Sequence, residues 1–283
     1  MSYHDYPLEY TQVFDEQKSK KHAEQDVLMT GLGVARVKPE GTGVTYDDTD
    51  EGWVKTYKHV ETALAVRITK VAIEDNLYEA LVPKFGRGLA RAVRESCEIR
   101  GAAVFNNAGN AGSWAGGDGV ALLSASHPRQ DGGTFSNVLG TPADLSETSL
   151  EDVLIMIRTA KDDRGLPIML RPKGLVISPY LQFDAHRILK TELRPGTDHN
   201  DINAIRSMGL MSAPPKVLTR MVDPDAWFVQ TDAEDGLKCF VRRPTTRSME
   251  GDFETDDMRY KVTRRDSFGF TDPRCLFGSE GAG

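Results

Sequence analysis

Between Thr30 and Asn76 the chain reads "TGLGVARVKPEGTGVTYDDTDEGWVKTYKHVETALAVRITKVAIEDN", strand-like at both ends and rich in Gly, Pro and Asp between them. This has the form of a hairpin. Its return limb, Trp53 to Thr69, places Val54, Val60, Thr62, Leu64, Val66 and Ile68 on one parity, and at ~3.3 Å per residue an unbroken limb would reach roughly 55 Å. Strands in globular proteins usually run about 3–10 residues. A ribbon of that reach cannot bury both of its own faces, so it must bend back onto its domain or rest on a neighbouring subunit.

The rest of the chain supplies a body for the ribbon to leave from. Its 283 residues are 39% hydrophobic and 27% charged, the balance of a folded protein with a core. Residues 1 to 26 are polar with scattered aromatics (Tyr3, Tyr6, Tyr10, Phe14), which predicts an arm that gains order only by lying on something else. After the ribbon the period changes: Leu77, Leu81, Phe85, Leu89, Ala92, Val93, Ile99, Ala103 and Val104 follow helical steps. Asp75 or Asn76 can cap that helix, and Pro83, Gly86 and Gly88 predict a kink or break early in it. "NNAGNAGSWAGGDG" reads as an irregular loop. Thr148 and Glu151 stand at capping-box spacing before Leu150, Val153, Leu154 and Ile157, with Gly165 as a stop, which gives a second, one-sided helix. A short buried strand in "GLVIS" and a helix over 181–193 follow, then strands at "PKVLTR", "AWFVQTD" and "LKCFVRRP". In the last segment Tyr260, Val262, Phe268 and Phe270 share one parity, a strand with one buried face. Helices and strands mix without a βαβ repeat, so the fold class is α+β.

The functional signals are mostly exclusions. A net charge of -7 gives no general attraction to nucleic acid or anionic lipid, and no window approaches a membrane span. Cys97, Cys239 and Cys275 are odd in number and far apart, so they read as buried hydrophobes in a reducing cell. "GLGVAR" has Arg36 where a dinucleotide fingerprint needs its third glycine. "DDTDEG", counted from Asp47, puts Lys58 where a calcium loop needs a bidentate Glu, so it is a solvated acidic hairpin tip. His4, His22, His59, His127, His186 and His199 never pair at metal-ligand spacing. Ser126 lacks the glycines of a nucleophile elbow. Arg242–Arg243 and Arg264–Arg265 lie on strands, where they could meet phosphate or make ion pairs between subunits. No catalytic residue, cofactor or metal is expected.

The order of parts carries more than any motif. The stretches "HVETALAVRITKVAIEDNLYEAL", "LSETSLEDVLIMIRTAKDDRGLPIMLRPKGLVISPYLQFDAHRIL" and "YKVTRRDSFGFTDPRCLFG", in that order, resemble the major capsid proteins of tailed bacteriophages with the Hong Kong 97-type capsid fold. The resemblance implies an N-terminal arm at 1–29, an extended loop at 30–74, a peripheral domain with a spine helix at 75–174, an axial domain at 175–245, and a return to the peripheral domain at 246–283. It implies a head protein that assembles as hexamers and pentamers into an icosahedral shell around double-stranded DNA, with no specific DNA site and no membrane. Its expected location is the virion capsid, after assembly in the host cytoplasm. Expected partners are copies of itself, a portal protein, a possible decoration protein and a scaffolding protein. The last should be a separate chain, since only about 26 residues precede the ribbon here, against a cleaved scaffolding segment in some relatives.

Within the ribbon, Trp53 and Tyr57 are then the expected aromatic anchors on a neighbour, and Lys38, Lys55 and Lys58 further contacts. Some relatives weld subunits by a Lys to Asn isopeptide with the Asn late in the peripheral domain. Residues 204–283 contain no Asn, so that crosslink is not expected. The rival readings are an encapsulin-like shell, for which the polar arm lacks a cargo-binding helix, and an α+β enzyme with an unrecognised site.

Overall fold

The computed structural model describes residues 7–49, 51–75, 82–193, 201–211, 213–252 and 254–282. In chain order its strands are β1 (Asp15–Lys18), β2 (Ala23–Met29), β3 (Glu51–Lys58), β4 (Val60–Ile68), β5 (His127–Pro128), β6 (Thr134–Phe135), β7 (Pro172–Ile177), β8 (Lys216–Val217), β9 (Trp227–Thr231), β10 (Leu237–Gly251), β11 (Met258–Phe270) and β12 (Leu276–Ser279). Its helices are α1 (Lys70–Glu74), α2 (Val82–Asn106), α3 (Glu147–Arg158), α4 (Gln182–Lys190) and α5 (Ala204–Ser207). The class is α+β, as the sequence implies.

The N-terminal segment departs from the expected arm. Tyr10, Val13 and Phe14 are buried in the protein's own core, and β1 adds in parallel to the start of β10. Their aromatic rings supply the apolar area that the polar residues around them conceal. The Glu98 carboxylate accepts the backbone N–H groups of Glu9 (2.8 Å) and Tyr10 (3.1 Å), which fastens the segment to α2. The aromatics Tyr3 and Tyr6 lie outside the described residues.

The ribbon also differs from the expected hairpin. Its outgoing limb is β2, paired antiparallel with β3 from Ala23↔Lys58 to Met29↔Glu51. The limb therefore leaves before residue 30, in a segment too polar to announce itself by alternation. The return limb breaks at His59, and β4 passes into a different sheet of order β1–β10–β11–β4. This answers the burial problem at the root: the even-numbered face of β4 ends on Val66 and Ile68, and Val66 packs with Tyr260 and Val262 of β11 against Leu89 and Val93 of α2.

Helix α2 runs 25 residues without a break, roughly 37 Å at ~1.5 Å per residue. Pro83 is its second residue, where no N–H is owed to the helix, and the helix continues through Gly86 and Gly88, so the expected break does not form there. Asn76, Leu77 and Leu81, expected at the start of this helix, lie outside the described residues, and Asp75 instead closes α1 by donating to the Val71 carbonyl (2.9 Å).

A second sheet, β12–β9–β7–β8, divides the interior. Alternation sends Leu175, Ile177, Trp227, Val229 and Phe277 to one side, with α3, α4 and α5. Val176, Phe228 and Leu276 go to the other, with Tyr10, Phe14, Phe105, Val241 and Phe270. Both faces are covered, which is why "GLVI" and "AWFV" read as unbroken apolar runs. Helix α3 thus packs in the same unit as β7 and α4, across the expected boundary at 175. The C-terminal segment, expected as one strand, is two: β11 in the first sheet and, after a 3-10 turn at Pro273–Cys275, β12 in the second. Phe268 packs edge-on to Tyr10 and Phe14 at 5.4 and 5.3 Å, and Phe270 and Phe277 are buried.

Two local signals are displaced. The box that caps α3 is Ser146 with Ser149, not Thr148 with Glu151, because Ser146 is the residue in extended conformation whose hydroxyl meets the third helical N–H. The helix ends at Thr159, while Gly165 (φ +80°) serves the tight turn after Asp162. The buried Asn137 joins the irregular region to the C-terminus, donating to the carbonyls of Leu122, Pro273 and Leu276 and accepting from Ser124.

Candidate functional site

No groups of His, Cys, Asp and Glu that could hold a metal occur among the described residues. The thiols are inert: burial pushes Cys97 and Cys275 up and Cys239 up to about 12. His127 is buried, with Nδ1 at 2.8 Å from Asp118 and its ring stacked on Phe135. His22 and His186 are exposed, and His4 and His199 lie outside the described residues. One arginine of each pair finds partners inside the subunit: Arg243 meets Glu61, and Arg264 donates to Asp266 through Nε (2.6 Å) and to the Tyr10 hydroxyl (3.2 Å). No helix among the described residues is long and apolar enough to cross a membrane.

What stands out is the ribbon, fixed at its root and bare at its tip. At the root, Tyr57 is 2% exposed. Its ring meets Phe240 edge-on at 4.8 Å and lies over Gly269, where a Cβ would come within 2.9 Å of it. Its hydroxyl donates to Thr271 (2.7 Å), which in turn donates to Asp26, and Asp26 pairs with Lys238. Burial raises the Tyr57 pKa far above the ordinary phenol value. Lys55 donates to the Ala115 carbonyl and lies 5.8 Å over the Phe270 ring, and burial lowers its pKa. The glycine-rich loop after α2 makes that approach possible: at Gly117 a Cβ would stand 2.9 Å from the Val54 backbone.

Two of the expected contact residues are therefore corrected. Tyr57 and Lys55 anchor the ribbon to its own subunit, because the strand carrying them lies on the body instead of projecting from it. Trp53 is half-buried, its indole N–H enclosed with no hydrogen-bond partner among the described residues. Lys38 and Lys58 are exposed.

The tip, residues 30–49, forms no strand. A clasp returns it to the body: both oxygens of the Asp47 carboxylate accept from Arg164 Nη1 (2.7 and 2.9 Å), one of them also accepts from the Gly33 N–H (2.7 Å), and Arg164 Nη2 donates to the Asp48 carbonyl. Arg164 first, then Gly33, hold the Asp47 pKa down. Asp47 of the acidic tip thus serves as a clasp. Around it Leu32, Val34, Val37, Val44 and Tyr46 are exposed, Val37 at 95% and Tyr46 at 92%. Large apolar side chains exposed together form the kind of surface that another molecule can cover. Sequence periodicity passed over them because their spacing fits neither helix nor strand. The signal that could have found them was the contrast between β-branched residues and the glycines and proline around them.

A family model described as phage capsid protein matches residues 53–278. The fold is similar to a solved structure from Microbacterium phage Oxtober96 (TM-score 0.59, 9% identity, 95% of this chain and 90% of that one). It is similar to one from Mycobacterium phage Bobi (TM-score 0.59, 14% identity, 98% and 91%). A third likeness is to the capsid of an empty GTA particle (TM-score 0.58, 12% identity, 98% and 90%). No curated protein matches the sequence.

Proposed function

Because this chain belongs to the phage capsid protein family and is a major capsid protein of the virion shell, we propose that it closes into an icosahedral head as hexamers and pentamers, with the extended loop as its principal arm onto the next subunit. The observation that carries this reading is the tip's exposed apolar set on a ribbon whose root is locked to its own body. Trp53, Lys38 and Lys58 are the flanking contacts on this reading. The extended loop comprises β2, β3 and the segment between them. The sheet β1–β10–β11–β4 with α2 is the peripheral part, and the unit of α3, β7, α4, α5 and β9 is the axial part. Scaffolding, portal and decoration proteins are the partners such a shell calls for, assembly takes place in the host cytoplasm, and packaged DNA is enclosed without a dedicated site. The chain has no catalytic role on this reading.

Electron microscopy of the purified chain, alone and co-expressed with a scaffolding protein, tests this. Closed shells with hexameric and pentameric units are expected. Monomers or dimers under every condition would overturn the reading.

The shell should also be held without covalent welds. No Asn occurs in residues 204–283, so stability comes from many weak contacts summed over the assembly. Boiling particles in detergent is expected to give one band near 31.3 kDa. A ladder that survives reduction would show a crosslink of another kind.

A further inference from the structure

The tip of the extended loop is closed by a side chain where strand pairing has stopped. The last rung of β2 and β3 is Met29↔Glu51. Beyond it, one Asp47 oxygen accepts the Gly33 N–H (2.7 Å), which shuts residues 34–46 into a loop with its own neck. At the apex the Thr42 N–H and hydroxyl both donate to the Pro39 carbonyl (3.2 and 2.7 Å), and Gly41 takes φ +80° in that turn. The exposed Val34, Val37, Val44 and Tyr46 all lie inside the closed stretch.

The body contributes a fixed arginine to the same neck. Arg164 lies in the tight turn between α3 and β7, where the Asp162 carboxylate accepts the N–H groups of Arg164 (2.9 Å) and Leu166 (2.7 Å) and Gly165 adopts φ +80°. That turn aims the guanidinium at the ribbon. Nη1 reaches both Asp47 oxygens and Nη2 the Asp48 carbonyl, 117 and 116 positions back along the chain. The Arg164 side chain is only 25% exposed, against 47% for Asp47. A Cβ at Gly33 would stand 3.1 Å from Asp47 and 3.4 Å from Arg164, so the neck closes tightly on a residue without a side chain.

We propose that Arg164 is a positioning residue for assembly: through Asp47 it sets the shape of residues 34–46 on its own subunit before they meet the next copy. The large apolar side chains stand between the two ends of the neck and stay exposed with the clasp closed, so the clasp presents them and does not hide them. Ordering a loop of this length during docking would cost conformational entropy at each residue, and a loop already shaped binds without that cost. The same ion pair contributes little to folding, because it is partly exposed and the segment it holds has no core behind it. The inference rests on the shell-forming role proposed above, and its first test needs no shell.

On the unassembled full chain, trypsin cleavage of the Arg36–Val37 bond reports whether the tip is held. In Arg164→Gln that cut should be about two- to fivefold faster at unchanged melting temperature, since cleavage follows the population of the open loop. Assembly is then followed by light scattering, with a scaffolding protein where the wild type needs one. The lowest subunit concentration that gives particles should rise roughly fivefold in Arg164→Gln, which is about 1 kcal/mol at 1.4 kcal/mol per tenfold. Arg164→Lys keeps the charge but has no fork to reach Asp47 and the Asp48 carbonyl together, so it should restore part of both effects. The double variant Asp47→Ala with Arg164→Gln should be no worse than Asp47→Ala alone, because Arg164 acts through Asp47. Equal cleavage of wild type and Arg164→Gln, an unchanged or lowered assembly threshold, or a double variant worse than Asp47→Ala would overturn the proposal. If the wild type forms no particles, the shell-forming role fails, and the cleavage comparison alone decides whether Arg164 shapes the tip.

Discussion

Removing residues 33–46 and closing the gap with a short Gly/Ser turn is expected to leave a soluble, cooperatively folding subunit that builds no shells. The segment forms no strand, and its large side chains Val34, Val37, Val44 and Tyr46 are exposed. The clasp between Asp47 and Arg164 lies at the surface, where ion pairs contribute little and are screened by salt. Unfolding stability should therefore stay within about 1 kcal/mol of wild type. Assembly should fail, because every subunit in the shell would carry the same defect and the weakening multiplies with their number. Single substitutions separate tip from root. Val37→Asp or Tyr46→Ala should impair particle formation at unchanged melting temperature. Tyr57→Ala should instead destabilise the subunit by about 3–5 kcal/mol, the usual cost of emptying a buried aromatic site. If the deletion variant unfolds, the tip belongs to its own core; if it forms normal particles, the tip plays no part in assembly.

Asp266→Ala is expected to be the most damaging polar substitution in the body. The carboxylate is fully buried on β11, paired with Arg100 of α2 and with Arg264 Nε at 2.6 Å, and it accepts from the Cys97 thiol at 3.7 Å. Removing it leaves two guanidinium groups facing each other with no anion between them. Burial already holds the Arg100 pKa down, so its charge is poorly solvated where it stands. Breaking a buried pair from one side typically costs about 3–5 kcal/mol, and urea unfolding should show a loss of that order. A loss under about 1 kcal/mol would mean that the two arginines reach water and that the cluster is not what ties α2 to the sheet.

How much of this was legible beforehand varies by element. The long helix, the one-sided α3 and the buried strands of "GLVI" and "AWFV" followed from periodicity, since each buries its face against whatever lies nearest and needs no particular partner. The alternation of Tyr260, Val262, Phe268 and Phe270 gave a correct buried face, but it could not show that Phe277, farther along the chain, would enter a different sheet. Capping shifted by two residues at α3 because several hydroxyls competed for one position, and backbone conformation chose Ser146.

The candidate surface was legible in outline only. A ribbon too long for its own domain was evident from residue count alone, and with it the need for a neighbour. Which residues meet that neighbour was not. Trp53 and Tyr57 were the natural choices because large rings carry interface energy, yet Tyr57 faces Gly269 and Phe240, partners far away in the chain. What the sequence determined by itself is what local patterning encodes: the class and the order of the main elements. What only the tertiary structure decided is which side of the ribbon is held and which is free, because burial depends on packing between residues distant in the chain. The same reason hid the clasp. Asp47 and Arg164 are ordinary residues in sequence and meet only where the fold brings together segments 117 positions apart.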